Sequence, residues 1–327
     1  MTTRRDFVLG GLATGLATTA PAVFAQGTNW PEMPVKIIVP FTAGNAADVL
    51  TRMVAERLQA RFGQSFVVEN KVGAGGMIGM EAVRTAKPDG YTIGSATIGT
   101  LSINQFLYKK MPHNPETDFV PATLHWENCN VFMVRQDHPA KNLQDLIAWS
   151  RAKPGGANIG TAGVGTSPYL AAALFKARTG IQSTSVPFAG GSQSLAALIG
   201  GNIDFSIENV ASAMPLIRGE KVRPLAVSAD YRWPTLPDVP TTAESGVKDF
   251  VLTSWGALVF PKGTPDAIVN KLSEAVQAIA ADPAMQKRFM DTGAKLVGTS
   301  PARTQAFAAS ERAKWKEAVE ISGAKLD

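Results

Sequence analysis

Apolar runs of strand length alternate with segments of helical period through most of this 327-residue chain. Val35-Lys36-Ile37-Ile38-Val39 has the near-continuous apolar character of a buried strand. Asp48 to Phe62 carries Leu50, Val54, Leu58 and Phe62 at four-residue spacing, which predicts a helix. Phe66-Val67-Val68 predicts a second strand, and Gly73 to Gly79 a Gly-rich turn leading into a second helix. Pro88-Asp89-Gly90 is a turn signal, and Tyr91 to Ala96 predicts a third strand. This β-α-β-α-β order predicts an α/β fold whose strands are joined by crossover helices.

The style recurs further along. Helices are predicted at Leu143 to Arg151, at Tyr169 to Ala177 and from Gly190-Gly191-Ser192 onward. Strands are predicted at Asn158 to Thr161, up to Ser185-Val186-Pro187-Phe188, at Ile203 to Ile207 and at Leu225 to Ser228. Three prolines between Trp233 and Pro240 interrupt the pattern. Ser254 to Phe260 predicts a strand, and helices follow at Asp266–Ala280, Pro283–Thr292 and Pro301–Ile321. Two α/β lobes joined by two crossing strands fit this order, the chain changing lobe near Asn128–Val134 and near Phe250–Trp255. Residues 26–128 and 250–327 then form the first lobe, residues 129–249 the second, and the cleft between them is the expected ligand site.

The N-terminus sets the compartment. Arg4-Arg5 precedes an uncharged run of Gly, Ala and Thr with scattered apolar residues, ending in Val23-Phe24-Ala25. This is the pattern of a twin-arginine secretory signal cleaved after Ala25, which implies export to the periplasm. A lasting membrane span needs ~20 predominantly apolar residues, and this run is only weakly apolar. Cys129 is the single cysteine, so the chain has no internal disulfide and must rely on its hydrophobic core. The net charge is +5, or +4 without residues 1–25, and its basic residues are scattered rather than gathered into a nucleic-acid-binding patch.

Three strand-to-helix loops carry the candidate chemistry. They are Pro40-Phe41-Thr42-Ala43-Gly44-Asn45 leading to Asp48, Gly160 to Tyr169, and Pro187-Phe188-Ala189-Gly190-Gly191-Ser192. A helix start offers free N–H groups and the positive end of the helix dipole, and both favour an anion. Each loop alone is also what a capped βα turn looks like. Three of them at the carboxyl ends of predicted strands point to the ligand side of an open α/β sheet. Enzyme motifs fail at working residues. Thr166 stands where a P-loop needs Lys, and Ile78 stands where the dinucleotide fingerprint needs its third glycine. Ser167 lies in no G-x-S-x-G elbow. His113, His125 and His138 form no H-E-x-x-H, and with Cys129 they have no zinc spacing. Neither a cofactor nor a metal is called for.

A set of ordered motifs spans the chain beyond the leader: Pro40-Phe41-Thr42-Ala43-Gly44, Val67 to Gly76, Lys87-Pro88-Asp89-Gly90-Tyr91-Thr92, Asp118 to Pro121, Pro187 to Gly191, Gly200 to Asp204, and Leu236 to Thr241. In order and spacing these resemble the Bug-type periplasmic substrate-binding proteins of tripartite tricarboxylate transporters. The resemblance implies a type II, two-lobed periplasmic binding fold that closes like a hinge on a small carboxylate. It implies a monomeric receptor, not an enzyme, that delivers a mono-, di- or tricarboxylate, aromatic acids included, to the transporter's membrane subunits. The alternative partner is a receptor kinase reading the same closed form.

By the same resemblance, Phe41, Thr42, Ala43, Gly44, Asn45 and Asp48 bind the ligand from the first lobe. Gly163, Gly165, Thr166, Ser167, Tyr169, Phe188, Ala189, Gly190, Gly191 and Asp204 bind it from the second. Three positions depart from the family pattern: Asn45 for a glycine, Ala47 for Thr or Ser, and Tyr169 for His. Phe41, Phe188, Trp126 and Trp255 are the aromatic residues that could face the cleft, and two or more of them there would favour an aromatic acid.

Overall fold

The computed structural model describes residues 29–322 together with Lys325 and Leu326; the predicted leader, residues 1–25, lies outside the described residues. The chain opens with β1 (Val35–Val39), α1 (Ala46–Phe62), β2 (Phe66–Asn70), α2 (Met77–Arg84) and β3 (Thr92–Thr97). The three strands are parallel, with β1 between β2 and β3. Helix α1 starts two residues earlier than its apolar spacing predicted. Asn45 sits at the N-cap and its Oδ1 accepts the Ala47 N–H, satisfying a donor that the first turn leaves orphaned. The helix ends at Gly63 in the left-handed conformation, φ +69°, which glycine adopts without a Cβ penalty.

A π-helical turn (Gly99–Ile103) and α3 (Asn104–Leu107) lead to β4 (Phe119–Arg135), a strand of 17 residues. The sequence pattern did not announce it, because its buried faces carry Thr123, His125, Asn128 and Asn130 among the apolar residues. Then follow α4 (Leu143–Ala152), β5 (Ala157–Thr161), α5 (Ser167–Thr179), β6 (Ser183–Pro187), α6 (Gly191–Ile199), β7 (Phe205–Asn209), α7 (Val210–Arg218) and β8 (Val222–Val227). Helix α7 was not predicted either, since Pro215 lies inside it. The chain closes with β9 (Thr253–Pro261), α8 (Asp266–Ala280), α9 (Pro283–Thr292), the short β10 (Lys295–Leu296) and α10 (Pro301–Ser322).

Strand β4 organises the whole sheet, whose order is β2-β1-β3-β9-β4-β7-β5-β6. From Phe119 to Cys129 it pairs antiparallel with β9; from Asn130 to Arg135 it pairs with β7 on one edge and β8 on the other. The hand-over falls between Cys129 and Asn130. Strand β9 bonds back to β3, so the first three strands and the later ones hang from two adjacent antiparallel strands.

Helix α8 packs on α1 and β4, whereas α10 packs on both the π-helical turn and α5, touching elements on either side of the hand-over. Buried Glu311 anchors α10: its Oε2 accepts N–H bonds from Trp255 of β9 and Trp315 of α10, both at 2.9 Å. Both indoles are about 1% exposed or less. Cys129 is buried and unpaired.

Glu311→Ala strands two buried indole donors, each costing about 1–3 kcal/mol when left unmade. We expect the variant to lose about 2–5 kcal/mol of unfolding free energy. Urea titration followed by tryptophan fluorescence measures this, and a loss under 0.5 kcal/mol, by the same scale, would contradict the anchoring role.

Candidate functional site

Between the two halves of the sheet lies a narrow cavity, lined by Phe41, Asn45, Ala47, Thr97, Ile98, Gly99, Trp126, Ala162, Thr166, Ser167, Asn209 and Ser254. The space open to the centre of a water-sized sphere is about 20 Å³, so the loops stand close together around it and leave room for about one or two waters. Two helix N-termini open onto it from opposite halves: α1 through Asn45 and Ala47, and α5 through Thr166 and Ser167. No lining residue carries a formal charge. An anion here meets helix-dipole ends, hydroxyls and amides instead of a guanidinium or ammonium.

The first loop is held by a network set behind it. Asp48, at the third position of α1, accepts from Gly44 N at 3.0 Å, from Arg52 Nε at 2.9 Å and from Asn70 Nδ2 at 2.9 Å. The same Asn70 amide donates to the Phe41 carbonyl at 2.9 Å. Burial pushes the Asp48 carboxyl up, but the hydrogen bonds from Arg52, Gly44 and Asn70 and the Arg52 charge outweigh it, holding the group below its usual value. Asp48 therefore positions the loop and does not itself line the cavity. Gly44 has φ +79°, the left-handed region that favours glycine.

The second loop is held in a similar way. Thr166 caps α5 by accepting the Tyr169 N–H at 3.4 Å, and its hydroxyl donates to the Gly163 carbonyl at 2.6 Å. Ser167 Oγ and Asn209 Nδ2 both donate to Asn130 Oδ1, at 3.2 and 2.8 Å, while Asn130 Nδ2 donates to the Leu252 carbonyl at 3.4 Å. This fixes which end of the Asn130 amide faces the cavity wall.

The loops from the two halves touch. Thr42 Oγ1 donates to the Ala189 carbonyl at 3.3 Å. A Cβ on Gly190 would collide with Thr42 Oγ1, and one on Gly99 would collide with the Gly165 carbonyl oxygen. Gly190 has extended backbone, φ −177°, so space and not conformation demands glycine there. Outside the cavity, Pro40, Phe41, Val72 to Gly76, Tyr108, Ala162 to Val164, Thr166, Phe188 and Ala189 line an outer groove without formal charge.

Phe41, Asn45, Thr166 and Ser167 thus line the cavity, and Phe41, Gly163, Thr166, Phe188 and Ala189 line the groove. Thr42, Gly165 and Gly190 lie where loops of the two halves touch beside the cavity. Ala43 and Gly44 are exposed at the rim. Gly191 starts α6 beside the Glu208 carboxylate, and half-buried Tyr169 is in neither lining.

The expectation for Asp204 is corrected. Asp204 lies just before β7, where its carboxylate accepts from Asn158 N and pairs with Lys153 at 2.5 Å. Parallel β5 and β7 open the cavity at their carboxyl ends, Ala162 and Asn209, so Asp204 is about 15 Å away along a five-residue strand. The turn before a parallel strand faces away from the ligand side. Of the aromatic candidates, Phe41 and Trp126 line the cavity and Phe188 the groove. Trp255 faces α10, bonded to Glu311. Sequence reading left Thr97, Ile98, Gly99, Ser254 and Asn209 out of the site. The alternation of β4 and β9 identifies Ser254, once β4 is known to be a strand.

The sequence profile described as the tripartite tricarboxylate transporter family receptor matches residues 50–323. Among solved structures, Rpa4515 of R. palustris with adipate is 34% identical, covers 91% of this chain and all of its own, and superposes with a TM-score of 0.88. The periplasmic binding protein BugD is 33% identical over 91% of this chain and 100% of its own, with a TM-score of 0.86. MatC of Rhodopseudomonas palustris with bound malate is 30% identical over 89% of this chain and 100% of its own, with a TM-score of 0.84. The fold is therefore the two-lobed periplasmic binding fold.

One buried acid stands under the third loop. Glu208 of β7 is fully enclosed, and burial pushes its carboxyl up to about 8; Oε1 has no partner. An ordinary Glu in the unfolded chain gives up its proton near pH 4.3. Between there and about pH 8 the folded state holds a proton that the unfolded state has released. Stability then falls as pH rises through that window. Glu208→Gln cannot ionise and removes this loss. Denaturant titrations at pH 5 and pH 8 should show the variant gaining on the wild type by at least about 1 kcal/mol between the two. A constant difference would show that Glu208 does not titrate differently on folding.

Proposed function

Because the chain belongs to the tripartite tricarboxylate transporter family of receptors, we propose that it captures a small carboxylate in the periplasm and delivers it to that transporter's membrane subunits. Members of this family are substrate-binding proteins rather than enzymes. The observation that carries the reading is the uncharged cavity held between the N-termini of α1 and α5, one from each half of the sheet. A carboxylate placed there closes the halves upon itself. Two structural neighbours hold adipate and malate, both small carboxylates.

On this reading the leader is removed after Ala25 and the mature protein works as a periplasmic monomer. The lobes are residues 26–128 with 250–327, and residues 129–249, a division supported by the hand-over of β4 between Cys129 and Asn130. Phe41, Thr42, Asn45, Gly165, Thr166, Ser167 and Gly190 bind the acid or close around it. Phe41 and Trp126 on the cavity wall favour acids with a flat or apolar body.

A thermal-shift series with adipate, malate, citrate, benzoate and nicotinate tests the proposal, since a solute that binds only the folded state raises its melting temperature. At least one acid should raise it dose-dependently, and a flat response to all five would refute carboxylate capture. Gly190→Val separates binding from folding: its added side chain meets Thr42 across the cleft. We expect circular dichroism and unfolding midpoint close to wild type with affinity down at least about tenfold. Wild-type affinity in this variant would remove the Gly190 loop from the site.

A further inference from the structure

Two buried donors on β4 stand beside the cavity with nothing to bond. Trp126 lines the cavity, is 1% exposed, and its Nε1 has no partner. Asn128 is 0% exposed; its Oδ1 accepts the Cys129 N–H at 2.8 Å, which leaves Nδ2 without a partner. Residues two apart on a strand share a face, as do residues directly opposite on an antiparallel neighbour. Trp126, Asn128 and Asn130 therefore share the face that also carries Ser254, opposite Asn128, and Asn209, opposite Asn130. Gly256, opposite Trp126, carries no side chain, and the indole occupies the place its Cβ would take. The indole's position is thus fixed by the sheet.

A buried donor left unpaired costs about 1–3 kcal/mol, and an indole N–H can only donate. An ionised carboxylate only accepts. Resting on the carboxylate reading above, we propose that Trp126 Nε1 and Asn128 Nδ2 grip the inner carboxylate of the ligand, and that the donor-rich, uncharged wall selects acids without an ammonium group beside that carboxylate. An α-amino acid sets a cation with three donors one carbon away from the carboxylate. There it meets the indole N–H, the Asn128 amide and two helix N-termini, all of the same electrostatic sign. The lining contains no Asp or Glu to receive it.

Matched pairs read this directly by isothermal titration of the full mature protein: adipate against 2-aminoadipate, and succinate against aspartate. The acid without the amino group should bind at least about tenfold tighter in any pair that binds at all. Trp126→Phe keeps a flat ring and removes the N–H, and should weaken the preferred acid about tenfold or more, the usual scale for a bond to a charged group. In ¹⁵N-tryptophan-labelled wild-type protein one indole N–H resonance, absent from Trp126→Phe, should move downfield on saturation with that acid. Equal affinities within the pairs, tighter binding of the amino acids, or an unshifted Trp126 resonance together with unchanged Trp126→Phe affinity would overturn the inference while leaving carboxylate capture standing. Failure of all four acids and of the thermal-shift series would overturn both.

Discussion

The site depends on one strand that must serve two half-sheets. β4 takes its backbone partners from β9 up to Cys129 and from β7 and β8 beyond it. Pairing along its 17 residues, interrupted by local register shifts, resists a slip, because moving by one residue would exchange its two faces. The cavity face would then lose Trp126, Asn128 and Asn130; His125, the extra residue of a bulge beside Trp126, bonds Thr51 at 3.1 Å on that same side. The polar residues that hid this strand from periodicity thus tie it to one alignment. The cavity wall is a consequence of that alignment: it forms where the strand changes neighbours and where loops from both halves converge.

Using no cation at the site has a physical logic. An arginine pair with a carboxylate has strong bidentate geometry, but burying it carries a large desolvation cost. Helix ends supply positive potential that is fixed in place and is never itself desolvated as a full charge. The fixed charges sit one layer back. Arg52 and Asp48 bond to each other and, through Gly44 N and Asn70, hold the first loop without entering the cavity. The ion pair spends its strength on loop geometry, which suits a receptor that must also release what it holds.

Much of this was legible in the sequence and some was not, for identifiable reasons. The helices at Asp266–Ala280 and Pro283–Thr292 were read to the residue, because their amphipathic spacing has clear ends. α1 was read from its apolar stripe, but its start at Ala46 is set by the Asn45 cap. The three ligand-side loops were visible as Gly- and hydroxyl-rich strand ends. Asp204 was misplaced because a motif gives no direction: the acid lies before its strand, whereas the site lies after it. Trp126 and Trp255 looked equivalent until the register set them on opposite faces, since Trp255 lies across from Glu127. The lining residues Thr97, Gly99 and Asn209 come from ends of strands whose neighbours are distant in sequence, and no local pattern encodes that pairing.

At the cavity the halves meet through the Thr42 hydrogen bond to Ala189 and close backbone passage at Gly99 and Gly190, while away from it α10 packs on α5 and Trp233 Nε1 donates to the Gly293 carbonyl. Two helix N-termini, each worth about half a positive charge, face the same space. Like ends repel each other across this space. An anion between them reverses the sign, since each end then attracts the ligand and through it the other half. A ligand shifts such an equilibrium only by the difference in its affinity for the two states. Here that difference is built in, because the open form can offer an acid one helix end and the closed form offers both, together with the donors of β4. On the proposed reading, closure conditional on negative charge follows from the placement of two helices and one strand.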